Sequence, residues 1–190
     1  MRIVGGRFKG RTLAAPEGKD LRPTADRTRE SVFNILAHGN RAIDGLELDG
    51  ATVIDMFAGT GGLGLEAMSR GCGHGVFIDN DPRALALVRQ NAGPMGLGRA
   101  VTLLKLDATR LAPPPRAAKA PAALAFLDPP YGQDLIQPAL LGLKDKGWLQ
   151  DGAVVVCEVA AKEEFDPPRG FEAVDERTYG AAKVVFLKYG

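Results

Sequence analysis

The chain has 190 residues, with 45% hydrophobic and 25% charged side chains and a formal net charge of +1. That size suits one domain with its own core, and that composition excludes disordered, collagen-like and disulfide-stapled classes. No run approaches the ~20 apolar residues of a membrane span, and no apolar stretch follows the basic N-terminus as in a signal peptide, so a cytoplasmic location is expected.

The charge is uneven: residues 1–30 hold eight Lys/Arg against four Asp/Glu. A basic end on a near-neutral body points to a polyanion, or else is a solvated tail. Arg2-Ile3-Val4 and Thr12-Leu13-Ala14 flank a glycine-rich bend and predict a short β-hairpin. Pro16–Pro23 reads as a loop, and Thr24 as the N-cap of a helix whose apolar face is Val32, Phe33, Ile35 and Leu36, with Gly39 as its stop.

From residue 51 strands and helices alternate. Thr52–Phe57 predicts a first strand, followed by a glycine turn and a helix to about Arg70. Gly75–Asp79 is a second strand, and Asp81-Pro82 caps and opens a helix through Asn91. Val101–Leu106 and Ala122–Leu127 are further strands, separated by a proline-rich loop, and a helix follows Leu135. Ala153–Val159 is a fifth strand; Phe171–Thr178 and Lys183–Tyr189 form a closing antiparallel pair that turns near Tyr179-Gly180. Continuous apolar strands with intervening helices predict a doubly wound α/β fold, whose ligands bind beyond the carboxyl ends of the strands.

The chemically suggestive residues fall at those ends. Gly59, Gly61 and Gly64 match G-x-G-x-x-G between a strand and a helix, a spacing that lets backbone approach a nucleotide cofactor. Asp55 beside the turn would repel a pyrophosphate but would accept from the ammonium group of S-adenosylmethionine; its bland reading is a turn cap. Phe57 completes that strand end. Asp79, 20 residues after Gly59 and followed by Asn80, stands where a ribose-binding acid is expected. Asp107, with the Ala108 backbone beside it, either reaches the adenine amino group or caps a helix.

Asp128-Pro129-Pro130-Tyr131 runs straight out of the fourth strand. The prolines stiffen the chain, the Asp128 carboxylate and Pro129 carbonyl offer acceptors to a planar amino group, and Tyr131 offers a stacking face. An aromatic amine is a poor nucleophile because its lone pair is delocalised, so two acceptors that pyramidalise it and aim it at an activated methyl supply what the reaction lacks. Asp128 orients the amine by hydrogen bonding and is also a candidate proton acceptor. Cys72, Cys157, His38 and His74 have no metal-site spacing, so no metal is expected.

These residues, with Arg2-Ile3-Val4-Gly5-Gly6, Lys9-Gly10-Arg11, Leu21-Arg22-Pro23-Thr24, Asp26-Arg27, Arg29-Glu30, Phe33-Asn34, Leu65-Glu66-Ala67 and Tyr179-Gly180, resemble bacterial 16S ribosomal RNA guanine-N2 methyltransferases of the RsmD type over nearly the whole chain. The resemblance implies a Rossmann-like class I fold with a seven-stranded, mostly parallel sheet, S-adenosylmethionine as donor, and N2 of one guanine in 16S rRNA or a small-subunit assembly intermediate as target. It divides the chain into a basic hairpin extension (1–24) and a catalytic domain (25–190), expected to act as a monomer. Arg2, Arg7, Lys9 and Arg11 are then expected on RNA phosphates, Phe8 on a base, and Arg22, Arg27 and Arg29 at the site entrance. The chain departs from the family in Asp79, where many members carry Glu, and in the proline-rich stretch Ala112–Pro121. The glycine turn and Asp-Pro-Pro-Tyr alone would also fit a DNA adenine-N6 or cytosine-N4 methyltransferase, and the turn by itself a nicotinamide-dependent oxidoreductase; the basic end alone would fit a non-catalytic RNA-binding protein.

Overall fold

A computed structural model describes residues 1–16, 23–39, 43 and 45–190. The loop expected at 16–23 and Arg22 lie almost wholly outside the described residues. Seven strands form one sheet in the order β3-β2-β1-β4-β5-β7-β6. They are β1 (Thr52–Met56), β2 (His74–Asp79), β3 (Val101–Lys105), β4 (Ala122–Leu127), β5 (Leu149–Ala160), β6 (Phe171–Tyr179) and β7 (Ala182–Tyr189). β1 to β5 run parallel, and β7 joins β5 antiparallel and pairs with β6 as a hairpin.

The helices are α1 (Pro23–His38), α2 (Gly62–Ser69), α3 (Pro82–Ala92) and α4 (Ile136–Asp145). Side-chain alternation splits the core in two. Val53, Leu124, Phe126, Val154 and Phe186 face one layer with Phe33, Leu65, Met68 and Val88 of α1, α2 and α3. Ile54, Met56, Ala125, Leu127 and Val155 face the other layer with Leu140, Leu143 and Trp148. Strands covered on both faces need apolar residues at every position, which is why β4 reads as an unbroken apolar run and is buried throughout.

α3 starts as its sequence implies: Asp81 caps it by accepting from the Arg83 N–H at 2.9 Å, and Pro82 occupies the first turn. α1 differs. It begins at Pro23, so Thr24 lies inside the helix rather than at its cap. Proline tolerates that first position because its missing N–H has no intrahelical partner there.

The N-terminal hairpin is also shorter than expected. Its strands reduce to one antiparallel bridge, Arg2 with Thr12, and the bend is a 3-10 turn over Gly6–Phe8. Ladder formation is interrupted because the segment bonds to α2 instead. The Phe8 N–H donates to Ser69 Oγ at 3.0 Å, and Ser69 Oγ–H donates to the Gly5 carbonyl at 2.6 Å. Gly6 has φ +73, and a Cβ there would lie 2.0 Å from the Ser69 carbonyl oxygen, so only glycine permits this approach. Ile3 and Leu13 are buried in the same core layer as α1 and α2.

The proline-rich stretch that maps onto no family feature has a clear place. It carries the chain from β3 to β4 without a regular α-helix, with a 3-10 turn at Arg116–Ala118. Leu111 and Ala118 bury into the second core layer, and the carbonyls of Ala112, Ala117 and Lys119 accept from Trp148 Nε1, Thr102 Oγ1 and Thr52 Oγ1 at 2.9, 2.7 and 3.0 Å.

One buried carboxylate joins three segments. Glu66 on α2 is fully buried; its Oε2 accepts from the Val4 N–H at 2.9 Å and lies 3.4 Å from Arg29 Nε, and its Oε1 lies 2.9 Å from Arg70 Nε. Arg29 also donates to Asp26 at 2.8 Å and to the Arg2 carbonyl. Removing one member of a buried ion network strands the others without compensation, at a cost of about 3–5 kcal/mol. Glu66→Ala is therefore expected to lower unfolding free energy by about 3 kcal/mol in urea titration, and to make residues 1–16 the first site of limited proteolysis.

Candidate active site

The strand order reverses between β1 and β4, and a cleft of about 1000 Å³ opens beyond their carboxyl ends. Its walls include Asp55, Phe57, Gly59 and Thr60 from the first strand and turn, Asp79 and Asn80 after β2, Asp107 and Ala108 after β3, Asp128, Pro130 and Tyr131 after β4, and Glu158 from β5. Met1, Thr28 and Arg29 border it on the side of the N-terminal segment, and Tyr179 and Gly180 on the side of the β6–β7 turn.

The glycine turn is built for tight backbone geometry. Phe57, Gly59 and Gly61 all have positive φ, at 60°, 55° and 79°. A Cβ on Gly59 would meet only the Phe57 carbonyl at 3.9 Å, so this glycine leaves open room at the cleft. Gly61 does not line the cleft: it caps α2 from behind, and a Cβ would press on Val88 and Phe77 at 3.1–3.2 Å. This packing gives Gly61 a structural role in the turn. Gly64 is a packing glycine too, since a Cβ would lie 2.5 Å from the Phe77 ring.

Asp55 accepts from the Gly64 N–H at 2.8 Å. Burial pushes its carboxyl up to about 8; the Gly64 bond opposes this, and the charges of Asp128 and Asp79 add to it. A cation beside this carboxyl would favour its ionised form, and a pyrophosphate would oppose ionisation. Asp79 braces two turns, accepting from Gly59 N–H at 3.0 Å and Asp81 N–H at 2.8 Å. Each of its oxygens retains a second lone pair for a ligand hydroxyl. Asp107 forms a local turn, accepting from the Thr109 N–H at 2.9 Å and hydroxyl at 2.6 Å, so its capping role is present while its outer face stays on the cleft.

Asp128 and Glu158 stand side by side because β4 and β5 are in parallel register, with Leu127 opposite Cys157 one residue earlier. Asp128 is exposed to the cleft; desolvation by the surrounding protein first, and the Glu158 charge second, hold its carboxyl above the usual range. The Tyr131 hydroxyl donates to Glu158 Oε1, with the ring 48% exposed toward solvent. Burial and Glu158 push that phenol above its usual range. Pro129 is buried, between Asp128 and Pro130, which both line the cleft.

Glu158 was not among the expected site residues. Its signal was available: it is a single acid near the carboxyl end of the apolar run Ala153–Val159. Arg2, Arg7, Lys9, Arg11 and Arg27 are exposed. Two other expected RNA contacts are corrected. Arg29 is only 5% exposed, and its guanidinium is occupied by Glu66, Asp26 and the Arg2 carbonyl. Phe8 packs on the core beneath the Arg7 guanidinium, 4.6 Å from the ring centroid, so its face is not free for a base.

The family described as "Conserved hypothetical protein 95" matches residues 1–188. The chain belongs to this family. It is 32% identical over 99% of its length to a Bacillus subtilis (strain 168) protein named "Putative rRNA methyltransferase YlbH", covering 98% of that protein. It is 34% identical over 83% of its length to "Ribosomal RNA small subunit methyltransferase D" of Escherichia coli (strain K12), covering 74% of that protein. Its fold superposes on "Putative methyltransferase yhhF from Escherichia coli" with a TM-score of 0.81, at 29% identity, over 100% of this chain and 97% of the other. The sheet is thus the Rossmann-like class I methyltransferase fold, and the conserved hypothetical family is the RsmD family.

The elevated Asp55 carboxyl fixes a pH dependence. A carboxyl that titrates near 4 when unfolded and near 8 when folded adds stability below pH ~4 that is lost as pH rises toward 8. The unfolding free energy of ligand-free wild type, relative to Asp55→Asn, is expected to fall by several kcal/mol between pH 4 and pH 8, at about 1.4 kcal/mol per unit of pKa difference. Urea midpoints at intermediate pH values check this; parallel curves for the two proteins would remove the burial argument.

Proposed function

We propose that this protein transfers the methyl group of S-adenosylmethionine to the exocyclic N2 of a guanine in small-subunit rRNA. The observation that carries the reading is the union, in one cleft, of a buried cation-seeking carboxylate at the tip of β1 with an acidic Asp-Pro-Pro-Tyr wall at the tip of β4. The relatives' names supply the nucleic acid and the subunit.

The cofactor fits the residues present. Asp55 would face its ammonium group directly or through water, the open side of Gly59 would admit its chain, Asp79 would accept from ribose hydroxyls, and Asn80, Asp107 and Ala108, which line the same cleft, would border the adenine. Bound there, S-adenosylmethionine would supply an electrophilic methyl, which the N2 lone pair would accept as the C–S bond breaks, with one proton lost from N2.

The chain's own residues prepare the amine. Asp128 accepts a hydrogen bond from the N2 amino group, which draws the lone pair out of the ring and toward the methyl. Its raised proton affinity suits it to receive the departing proton. Tyr131 provides a face for the base, and Pro129-Pro130 hold the segment extended. The target guanine leaves its stack to enter the cleft.

The basic edge positions the RNA. Arg2, Arg7, Lys9, Arg11 and Arg27 are exposed, and Met1 and Thr28 lead from that edge to the cleft. They contact phosphates of 16S rRNA or of an assembling small subunit, in the cytoplasm.

Two measurements test this. Asp128→Ala is expected to lower methyl transfer to unmodified small subunits by 10²–10⁴-fold, the range for loss of one acid–base group, while S-adenosylhomocysteine affinity changes little; undiminished turnover removes Asp128 from the chemistry. Reversing Arg7, Lys9 and Arg11 to glutamate is expected to weaken RNA binding and to flatten its dependence on salt, by about 0.7–0.9 in slope per lost phosphate contact. An unchanged slope places the RNA elsewhere.

A further inference from the structure

The function above uses Asp128 and Tyr131 and leaves Glu158 unassigned. Glu158 stands on a rigid strand paired on both sides, with its neighbours Cys157 and Val159 buried. Tyr131, by contrast, sits on the exposed segment after β4, just before Gly132 and Asp134, which both have positive φ. The hydroxyl-to-carboxylate bond across the cleft wall therefore ties an exposed turn to a strand of the sheet.

We propose that Glu158 is a positioning residue for methyl transfer: one carboxylate oxygen holds the Tyr131 hydroxyl and so fixes the ring as the wall for the target base, while the same charge stands beside Asp128, the acceptor for the amine. The proposal rests on the methyltransferase reading of this cleft.

Two arguments from the geometry carry it. A phenol is a good donor and a carboxylate a good acceptor, and a charge-assisted bond of this kind is roughly twice as strong as a neutral one. Held at both its backbone and its hydroxyl, the ring keeps one orientation, which is what a stacking platform requires. Second, two acids at adjacent strand ends cannot both ionise as readily as either alone. Glu158 thus favours a proton on Asp128, and a base that must collect a proton from a cationic amine gains from that neighbour.

The electrostatic surroundings are otherwise acidic. Asp128 also faces Asp55 at the tip of β1, and Tyr131 feels Glu163 beyond the end of β5 in addition to Glu158 and Asp128. Among the described residues, the cationic side chain on the cleft border, Arg29, is engaged with Glu66 and Asp26. Among the described residues, neither Asp128 nor Glu158 forms an ion pair, so the charge of Glu158 is felt at Asp128.

The test compares wild type with Glu158→Gln, Glu158→Ala and Tyr131→Phe, on small ribosomal subunits from cells lacking the enzyme. Glutamine keeps an acceptor for the phenol but loses the charge. Glu158→Gln is expected to move the acid limb of the kcat/KM profile down by about one pH unit or more and to leave KM near its original value. Glu158→Ala should shift the limb equally and raise KM about tenfold, to the value seen with Tyr131→Phe, and combining the two substitutions should raise KM no further. S-adenosylhomocysteine affinity and urea midpoints should stay near wild type, unlike the outcome for a residue that merely braces β5. An acid limb and KM unchanged in both Glu158 variants would overturn the proposal.

A second measurement needs no substrate: the carboxyl-carbon NMR titration of Asp128, assigned with Asp128→Asn, should move to lower pH in Glu158→Gln. If wild type transfers no methyl group to RNA, the functional reading fails on that result alone. The NMR midpoint then decides whether Glu158 governs Asp128, and an unmoved midpoint refutes it.

Discussion

Like charges gathered in one place at the edge of a sheet are the constraint around which this molecule is arranged. Asp55, Asp79, Asp128 and Glu158 converge on one cleft because parallel strands deliver their carboxyl ends to the same edge and the chain departs in opposite directions at β1 and β4. Asp55 is destabilised by burial and by its acidic neighbours, and Asp128 by burial and Glu158. The sheet tolerates this because its interior is apolar on both faces and closely packed, so local repulsion does not unravel it. An environment that disfavours its own anions is pre-arranged for a cation on one side and for amino-group donors on the other, with little reorganisation on binding.

A second carboxylate, Glu66, does the opposite work. Its charge is fully paired, and it connects the N-terminal segment, α1 and α2 through Val4, Arg29 and Arg70. α2 is also the helix whose first turn carries Gly62 and Leu63 at the cleft wall. The basic edge and the glycine turn therefore share one support, and the spacing between them is set by packing.

Much of the architecture was legible because strand and helix patterns were strong. β4 was read to the residue from its apolar run, and Asp81-Pro82 announced α3 through a local rule that the Arg83 N–H obeys. Legibility failed where distant contacts overrode local pattern. The hairpin shrank to one bridge because Ser69 and Glu66, more than 60 residues away, claim its backbone groups. Arg29 looked like a free cation until Glu66 and Asp26 were seen to occupy it, and Phe8 looked like a free ring until Arg7 was seen above it. In the cleft, Asp55, Asp79 and Asp128 were evident from their strand ends. Glu158 was overlooked because its importance comes from the β4–β5 register, which sequence spacing does not display. Gly61 satisfied the glycine pattern for a different reason from Gly59: one fills a packing constraint and the other leaves space.

The Arg7–Phe8 stack has a consequence for discrimination. With the Phe8 ring covered by Arg7, the described part of the basic edge would meet a polyanion through charge, which is indifferent to base identity. Such an edge would hold many segments of folded RNA almost equally well. On the proposed reading, selection among nucleotides would then fall to the acidic recess, which a base would reach by swinging out of its helix, so the local looseness of the RNA would become part of the address.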